Sequence, residues 1–258
     1  FLCDLIFDQK INPKLIDKIN YNKLVKFGSS HLIIPLIYVK LHEKKILNLF
    51  PKDLTRYLKF IYDENLIRNK ILLEEVKSIS EIFNENNIDY AFIKGASLLL
   101  SNTFRDHGER MIGDIDILVN PKQIIFSKQL LNKNKYKNLK NQNSINFNEQ
   151  KHLKRLVNKE GVFAIELHKK CFIRVKNNFD SNFSKNLLST KISHKNIFIS
   201  NSTHRLSNVV YNNQFNDKNN LYVKYNYRSL YDFYSVIKKN NFNINQIELD
   251  KYFKRYIL

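Results

Sequence analysis

The run Gly113-Asp114-Ile115-Asp116-Ile117-Leu118-Val119 constrains this chain more than any other stretch of its 258 residues. It is rich in β-formers, and on a strand successive side chains point to opposite faces. Asp114 and Asp116 therefore share one face, while Ile115 and Ile117 point into a core. Two carboxylates held side by side repel each other, and a divalent cation between them relieves the repulsion. The plainer alternative is a solvated strand end. A third acid bears on the choice. In Val162-Phe163-Ala164-Ile165-Glu166-Leu167-His168, Glu166 sits near the end of an otherwise apolar strand. A charge there is costly unless it is paired, exposed or on a metal; an exposed place on an edge strand is its plain alternative. Beside the first strand, this second one would bring three carboxylates together, enough for the two Mg²⁺ ions of phosphoryl-type transfer.

Around these strands the chain reads as helical. Within residues 66–83, Leu72, Val76, Ile79 and Phe83 recur at a four-three-four spacing that lines one helical face. Asn84-Glu85-Asn86-Asn87 then ends the helix, because Asn side chains compete for backbone hydrogen bonds. Ile88-Asp89-Tyr90-Ala91-Phe92-Ile93 reads as a strand stopped by Lys94-Gly95, with a helix opening over 96–100. The strand over 115–119 stops at Asn120-Pro121, and Pro121 suits the first turn of a helix over 121–132. Residues 132–150 read as a loop carrying one edge strand. Residues 153–157 and 162–168 flank Lys159-Glu160-Gly161, a hairpin turn. The stretch to 203 is polar and without pattern. Helices are expected near 204–211, over 227–238 with Leu230, Phe233, Tyr234 and Ile237 on one side, and over 247–258. This order predicts an α+β fold with a small mixed β-sheet core over 88–200, between helical regions over 1–87 and 201–258.

Composition narrows the partners. A hydrophobic content of 43%, with aromatic residues making up 13% of the chain, belongs to a folded protein. No apolar run approaches the roughly 20 residues of a membrane span. Cys3 and Cys171 stand far apart without CxxC spacing, which argues for two reduced thiols in a cytoplasmic protein and against a disulfide or zinc site. A net charge of +19 would ordinarily point to nucleic acid or an anionic surface. Its weight is reduced because the chain is saturated with Lys, Asn, Ile, Phe and Tyr, the residues of A/T-rich codons, and its lysines are scattered. Phe1 in place of Met leads to the expectation of a start further upstream, and the last helix, which has no stop signal, to a continuation beyond Leu258.

Lys94-Gly95 supplies a further element. A glycine between strand and helix lets the backbone approach a ligand, a helix start offers N–H groups to phosphate, and Lys94 adds a point charge for a triphosphate. GxxxxGK[ST] is absent from the sequence, so this is not a Walker loop. Taken alone, a Lys-Gly pair is a common turn.

Together, Ile93-Lys94-Gly95-Ala96-Ser97-Leu98, Arg110-Met111-Ile112-Gly113-Asp114-Ile115-Asp116-Ile117-Leu118-Val119 and Ile165-Glu166-Leu167-His168 resemble the uncharacterised bacterial nucleotidyltransferase family of the polymerase-β-like superfamily. The lead-in through His31-Leu32-Ile33-Ile34-Pro35-Leu36 and the tail block Arg228-Ser229-Leu230-Tyr231-Asp232 are similar as well, though only the three central blocks are specific. The resemblance implies a nucleotidyltransferase core using Mg²⁺ or Mn²⁺ and a nucleoside triphosphate (ATP or another NTP). Asp114 and Asp116 would hold both metals; Glu166 would bind the catalytic one and help deprotonate an acceptor hydroxyl. That hydroxyl attacks the α-phosphate, and pyrophosphate leaves. Gly95 and the amides after it, including that of Ser97, would cradle the outer phosphates, with Lys94 and Arg110 near the triphosphate. The wider superfamily usually has Gly-Ser here; in this chain Ala96 follows Gly95, Ser97 comes one place late, and Lys94 stands as compensation.

Among secondary candidates, Arg110 either reaches the nucleotide or acceptor or simply closes a loop. His168 either orients Glu166 or contacts substrate, or is a satisfied structural histidine. Asp106, His107, His152 and His204 read as ordinary surface or helix residues. Tyr222, Tyr225, Tyr227, Tyr231 and Tyr234 could stack bases, but read better as the core of the helical tail. The acceptor is unspecified: a small molecule, a protein or peptide, or RNA. Two rivals are a catalytically silent nucleotide-binding partner subunit and a basic nucleic-acid-binding protein with incidental acids.

Overall fold

A computed structural model describes residues 1–139, 151–158, 160–172, 179–216 and 226–242. Its spine is a helix far longer than its sequence signature. The helix Lys52–Glu85 (α4) spans 34 residues, about 51 Å at 1.5 Å per residue. The face of Leu72, Val76, Ile79 and Phe83 is buried under the sheet, as the spacing predicts, and the Asn-rich end closes at Asn86. Its first half runs the other way, burying Leu54 and Leu58 among the N-terminal helices Leu2–Ile6 (α1), Tyr21–Ser30 (α2) and Ile34–Glu43 (α3). Pro35 fits within the first turn of α3, where its missing N–H has no partner to lose.

Among the described residues the mixed sheet has seven strands, in the order β3-β4-β5-β2-β1-β7-β6. These are Tyr90–Phe92 (β1), Asp114–Val119 (β2), Lys137–Asn138 (β3), Leu156–Val157 (β4), Ala164–His168 (β5), Ile192–His194 (β6) and Ile197–Ile199 (β7). Helix Lys94–Leu100 (α5) follows β1, and Ile124–Lys133 (α6) follows β2. Strand β2 pairs antiparallel with β1 and parallel with β5. Ile115, Ile117, Val119, Ile165 and Leu167 face α4 and α6 in one apolar cluster. On the other face Ala91, Ile93 and Leu118 pack against Phe172 and the helix Phe179–Ser189 (α7). The carboxylates of β2 and β5 occupy the rest of that face. This is an α+β fold with helical flanks on both sides of the sheet in sequence.

Several expectations need amending. Helix α6 begins at Ile124, not at 121. Asn120 takes Pro121 and its neighbours into a turn: its Oδ1 accepts from the Lys122 N–H, and its carbonyl accepts from Gln123 N at 2.8 Å. The patternless stretch before 203 contains α7 and the β6–β7 hairpin, which extends the sheet beyond β1. Leu230 does not join the apolar side of its helix but is exposed. The tail helices are Ser202–Tyr211 (α8) and Tyr227–Asn240 (α9), and α9 returns to pack Tyr231 and Val236 among the N-terminal helices. Tyr227 and Tyr234 likewise stack edge-on against Phe27 and Phe7. Between β4 and β5, Gly161 takes φ +67, a left-handed turn at low cost for glycine, and the Asn158 side chain accepts from both Glu160 and Gly161. Lys159, Tyr222, Tyr225 and the helix expected over 247–258 lie outside the described residues.

Candidate active site

The β2–β5 register places Asp116 directly opposite Glu166, and Leu118 opposite His168. Parity then puts Asp116, Glu166 and His168 on the face away from the isoleucines. One potential ligand atom from each lies within 4.8 Å of the others, and all three side chains are buried. His168 Nε2 is 2.8 Å from Asp116 Oδ1 and 3.2 Å from Glu166 Oε2, so a single ring nitrogen ties the two carboxylates together. Asp114 lies on the same face, paired with Ala164, one pleat nearer the cleft mouth and 37% exposed.

Cations answer this charge. Lys94 Nζ sits 2.5 Å from Asp116 Oδ1, and Arg155 Nη2 sits 2.6 Å from Glu166 Oε1 and 4.0 Å from Asp114 Oδ2. His152 Nε2 is 3.6 Å from Glu166 Oε2. Burial pushes the Asp116 carboxyl up, but Lys94 and then His168 outweigh it and hold the group well below the usual carboxylate range. Glu166 is similarly held low, its burial outweighed chiefly by the hydrogen bond from His168. Asp114 behaves in the opposite way: burial, then the charges of Asp116 and Glu166, push it up to about 6. Burial works to lower the Lys94 ammonium, but Asp116 prevails and raises it. Burial lowers His152, and burial together with Lys94 lowers Lys151.

The backbone positions these groups tightly. Lys94 has φ +50, a left-handed conformation that costs a non-glycine residue energy and recurs at functional sites. Gly95 does not itself need a positive φ; a Cβ there would lie 3.2 Å from Ile112 Cγ2, so its glycine serves close packing against the loop before β2. That loop is pinned by α4. Asn65 Nδ2 donates to the Gly108 carbonyl at 2.6 Å, Asn69 Nδ2 to the Arg110 carbonyl at 2.9 Å, and Tyr62 Oη to Asp106 Oδ2 at 2.8 Å. The acids and Lys94 line one cleft of about 280 Å³, whose far wall is formed by α8 and α9.

Lys94, Gly95, Arg110, Asp114, Asp116 and Glu166 all line this cleft. His168 lies directly beneath the carboxylates. Arg110 is in the wall with its guanidinium engaged: Nε and Nη2 donate to Asp232 Oδ1 and Oδ2, both at 2.8 Å, clamping the loop to α9. Ser97 does not line the cleft; it is fully buried and its hydroxyl bonds that of Ser200 at 2.7 Å. Asp106 is a loop-pinning acceptor, His107 is near Asn102, and His204 joins its own helix cap. Lys151, Arg155 and Asn208 also line the cleft, and His152 belongs to the site and not to the surface. In the sequence they are four ordinary polar residues among many, and only the folding of β4 and α8 against β5 and α5 singles them out.

No curated protein matches the chain. A family model described as an uncharacterised nucleotidyltransferase matches residues 17–257, nearly the whole length. With the match covering that much of it, the chain belongs to this nucleotidyltransferase family.

Proposed function

We propose that the chain transfers a nucleoside monophosphate from an NTP to a hydroxyl-bearing acceptor, using Asp114, Asp116 and Glu166. One observation carries the reading: Asp116 and Glu166 face each other in register on adjacent strands, with Asp114 on the same face and Lys94 against them. The donor set fits a hard divalent cation, since carboxylate oxygens are the ligands Mg²⁺ and Mn²⁺ favour. Asp116 and Glu166, with Asp114 toward the mouth, would hold it, and His168 would orient their oxygens. Such an ion supplies charge neutralisation at the α-phosphate and at the attacking and leaving oxygens. The chain's own groups do the rest. Lys94, now held by Asp116, is within the cleft to answer triphosphate charge, and the planar guanidinium of Arg155 adds a second cationic donor. The acceptor oxygen forms its bond to the α-phosphorus as the bridging bond to the β-phosphate breaks. Pyrophosphate departs, and the acceptor proton passes to Glu166 or to solvent. The nucleotide would occupy this cleft of about 280 Å³, with the acceptor presenting its hydroxyl at the opening.

The test is incubation with each NTP labelled at the α-phosphate, Mg²⁺ or Mn²⁺, and a cell extract, beside an Asp114→Asn/Asp116→Asn control. Label is expected on one class of molecule with the wild type alone. Equal labelling by both proteins would end the proposal.

A further inference from the structure

Beyond the carboxylates the cleft has a second half, built by the tail helices, that nucleotidyl transfer does not by itself explain. Helix α8 packs on both α5 and α9, so its inner face is a fixed wall of the cleft. On that face Asn208 is 2% exposed, and its Nδ2 is buried with no hydrogen-bond partner among the described residues. An unpaired buried amide donor is rare in native proteins and asks for an explanation. Here its side chain borders a cleft. One turn later Asn212 lines the same cleft, at the start of the π-helical turn Asn212–Asn216, a distortion frequent at functional sites. Leu98 and Val209 supply apolar surface beside it.

Resting on the proposed reading, we infer that Asn208 is a nucleoside-recognition residue, whose carboxamide donates to an acceptor atom of the donor nucleotide's base or ribose. Three features favour the nucleoside over the second substrate. The acids and Lys94 line the same cleft and, on the proposed reading, claim the phosphates of the nucleotide, which leaves its nucleoside for the tail-helix wall. Leu98 and Val209 line the same cleft with aliphatic side chains, apolar surface against which a base can lie. A donor N–H also meets a carbonyl oxygen or ring nitrogen, which every nucleobase carries.

The test measures binding without turnover. The full chain in Mg²⁺ is titrated calorimetrically with the α,β-methylene analogues of ATP, GTP, CTP and UTP, which cannot be transferred, and with inorganic tripolyphosphate. In Asn208→Ala the advantage of the best-bound analogue over tripolyphosphate should shrink about tenfold, the scale of one neutral hydrogen bond. Tripolyphosphate itself should bind unchanged. Asn208→Asp, which exchanges the donor for an anion, should lose at least as much, and Asn208→Ser, which keeps a hydroxyl donor, should recover part of the loss. These two variants carry the test if the alanine protein does not fold. Unchanged analogue affinity in the variants, or an equal loss for tripolyphosphate, overturns the role of Asn208 alone. Failure of the wild type to bind any analogue or tripolyphosphate overturns the underlying reading as well.

Discussion

Strands β2 and β5 present two faces that share a backbone and differ in everything else. On one side Ile115, Ile117, Ile165 and Leu167 are all but fully buried against α4 and α6. On the other, one residue out of phase, the carboxylates of Asp116 and Glu166 and the imidazole of His168 are equally buried. The apolar face stabilises the fold by burial, at about 25 cal/mol per Å². Its partner gathers like charges that would repel strongly without Lys94, Arg155 and His168 between them. Strand periodicity thus keeps the residues that hold the fold apart from those proposed to do its chemistry. A substitution on either face should therefore act mainly on one property.

The largest separation is expected from Asp116→Asn. Removing a charge that organises a phosphoryl-transfer site should lower kcat by ~10²–10³-fold or more, about 2.7–4 kcal/mol of barrier. Far-UV circular dichroism should stay that of the wild type. Full activity in this variant, measured by α-phosphate label transfer, would dissolve the distinction between the faces. Next to it on the strand, Ile117→Ala should do the reverse. It opens a cavity in a fully buried cluster and should cost about 2–5 kcal/mol in urea unfolding. At a temperature where it remains folded, its kcat should stay within a few-fold of wild type, and a loss like that of Asp116→Asn would break the comparison.

A third buried carboxylate shows what burial does without a cation in contact. Glu109 is 2% exposed and bonds only the Tyr231 hydroxyl, at 3.3 Å, among the described contacts. Burial pushes it up to about 7, against a partial downward pull from Lys40. Its folded pKa lies above its unfolded one, so its contribution to stability is present below about 4.5 and is lost as pH rises through 7. Glu109→Gln removes that loss. Compared at pH 5 and pH 8, the variant should gain on the order of 2 kcal/mol relative to wild type. A pH-independent difference in urea melts would show that Glu109 ionises as freely as the paired Asp116.

Much of this contrast was legible before any coordinates, because it depends on local periods. The face of α4 and the parity of Asp114, Asp116 and Glu166 follow from spacings of 3.6 and 2. The β6–β7 hairpin was not legible. Its two-residue turn places both Lys195 (φ 51) and Asn196 (φ 63) in the left-handed region, and Lys-Asn lacks the glycine that usually announces such a turn. Helix α7 hid for a related reason: Phe179, Phe183 and Leu187 are four apart, but the Ser and Asn between them are weak helix formers, and packing on the sheet decides the outcome. Arg155 and Lys151 hid in a different way. With 43 Lys and Arg in the chain, nothing local marks the two that fold beside the acids.

The smallest effect tests the charged face most closely. Asp114 is raised to about 6 by burial and by its neighbours Asp116 and Glu166, so without metal its ionisation opposes folding. The folded pKa exceeds the unfolded value of about 3.8, and the stability this group contributes is lost as pH climbs through 6. Asp114→Asn should therefore make the metal-free protein more stable at pH 7.5 while impairing transfer. With 37% exposure the gain is screened, and less than about 1 kcal/mol is expected. It should vanish near pH 4, and Mg²⁺ should reverse its sign by stabilising the wild type alone. Chelator and Mg²⁺ arms of one thermal-denaturation series measure both. A variant less stable than wild type in chelator at pH 7.5 would mean that Arg155 more than compensates the repulsion, leaving the acids of this face in no need of a further cation.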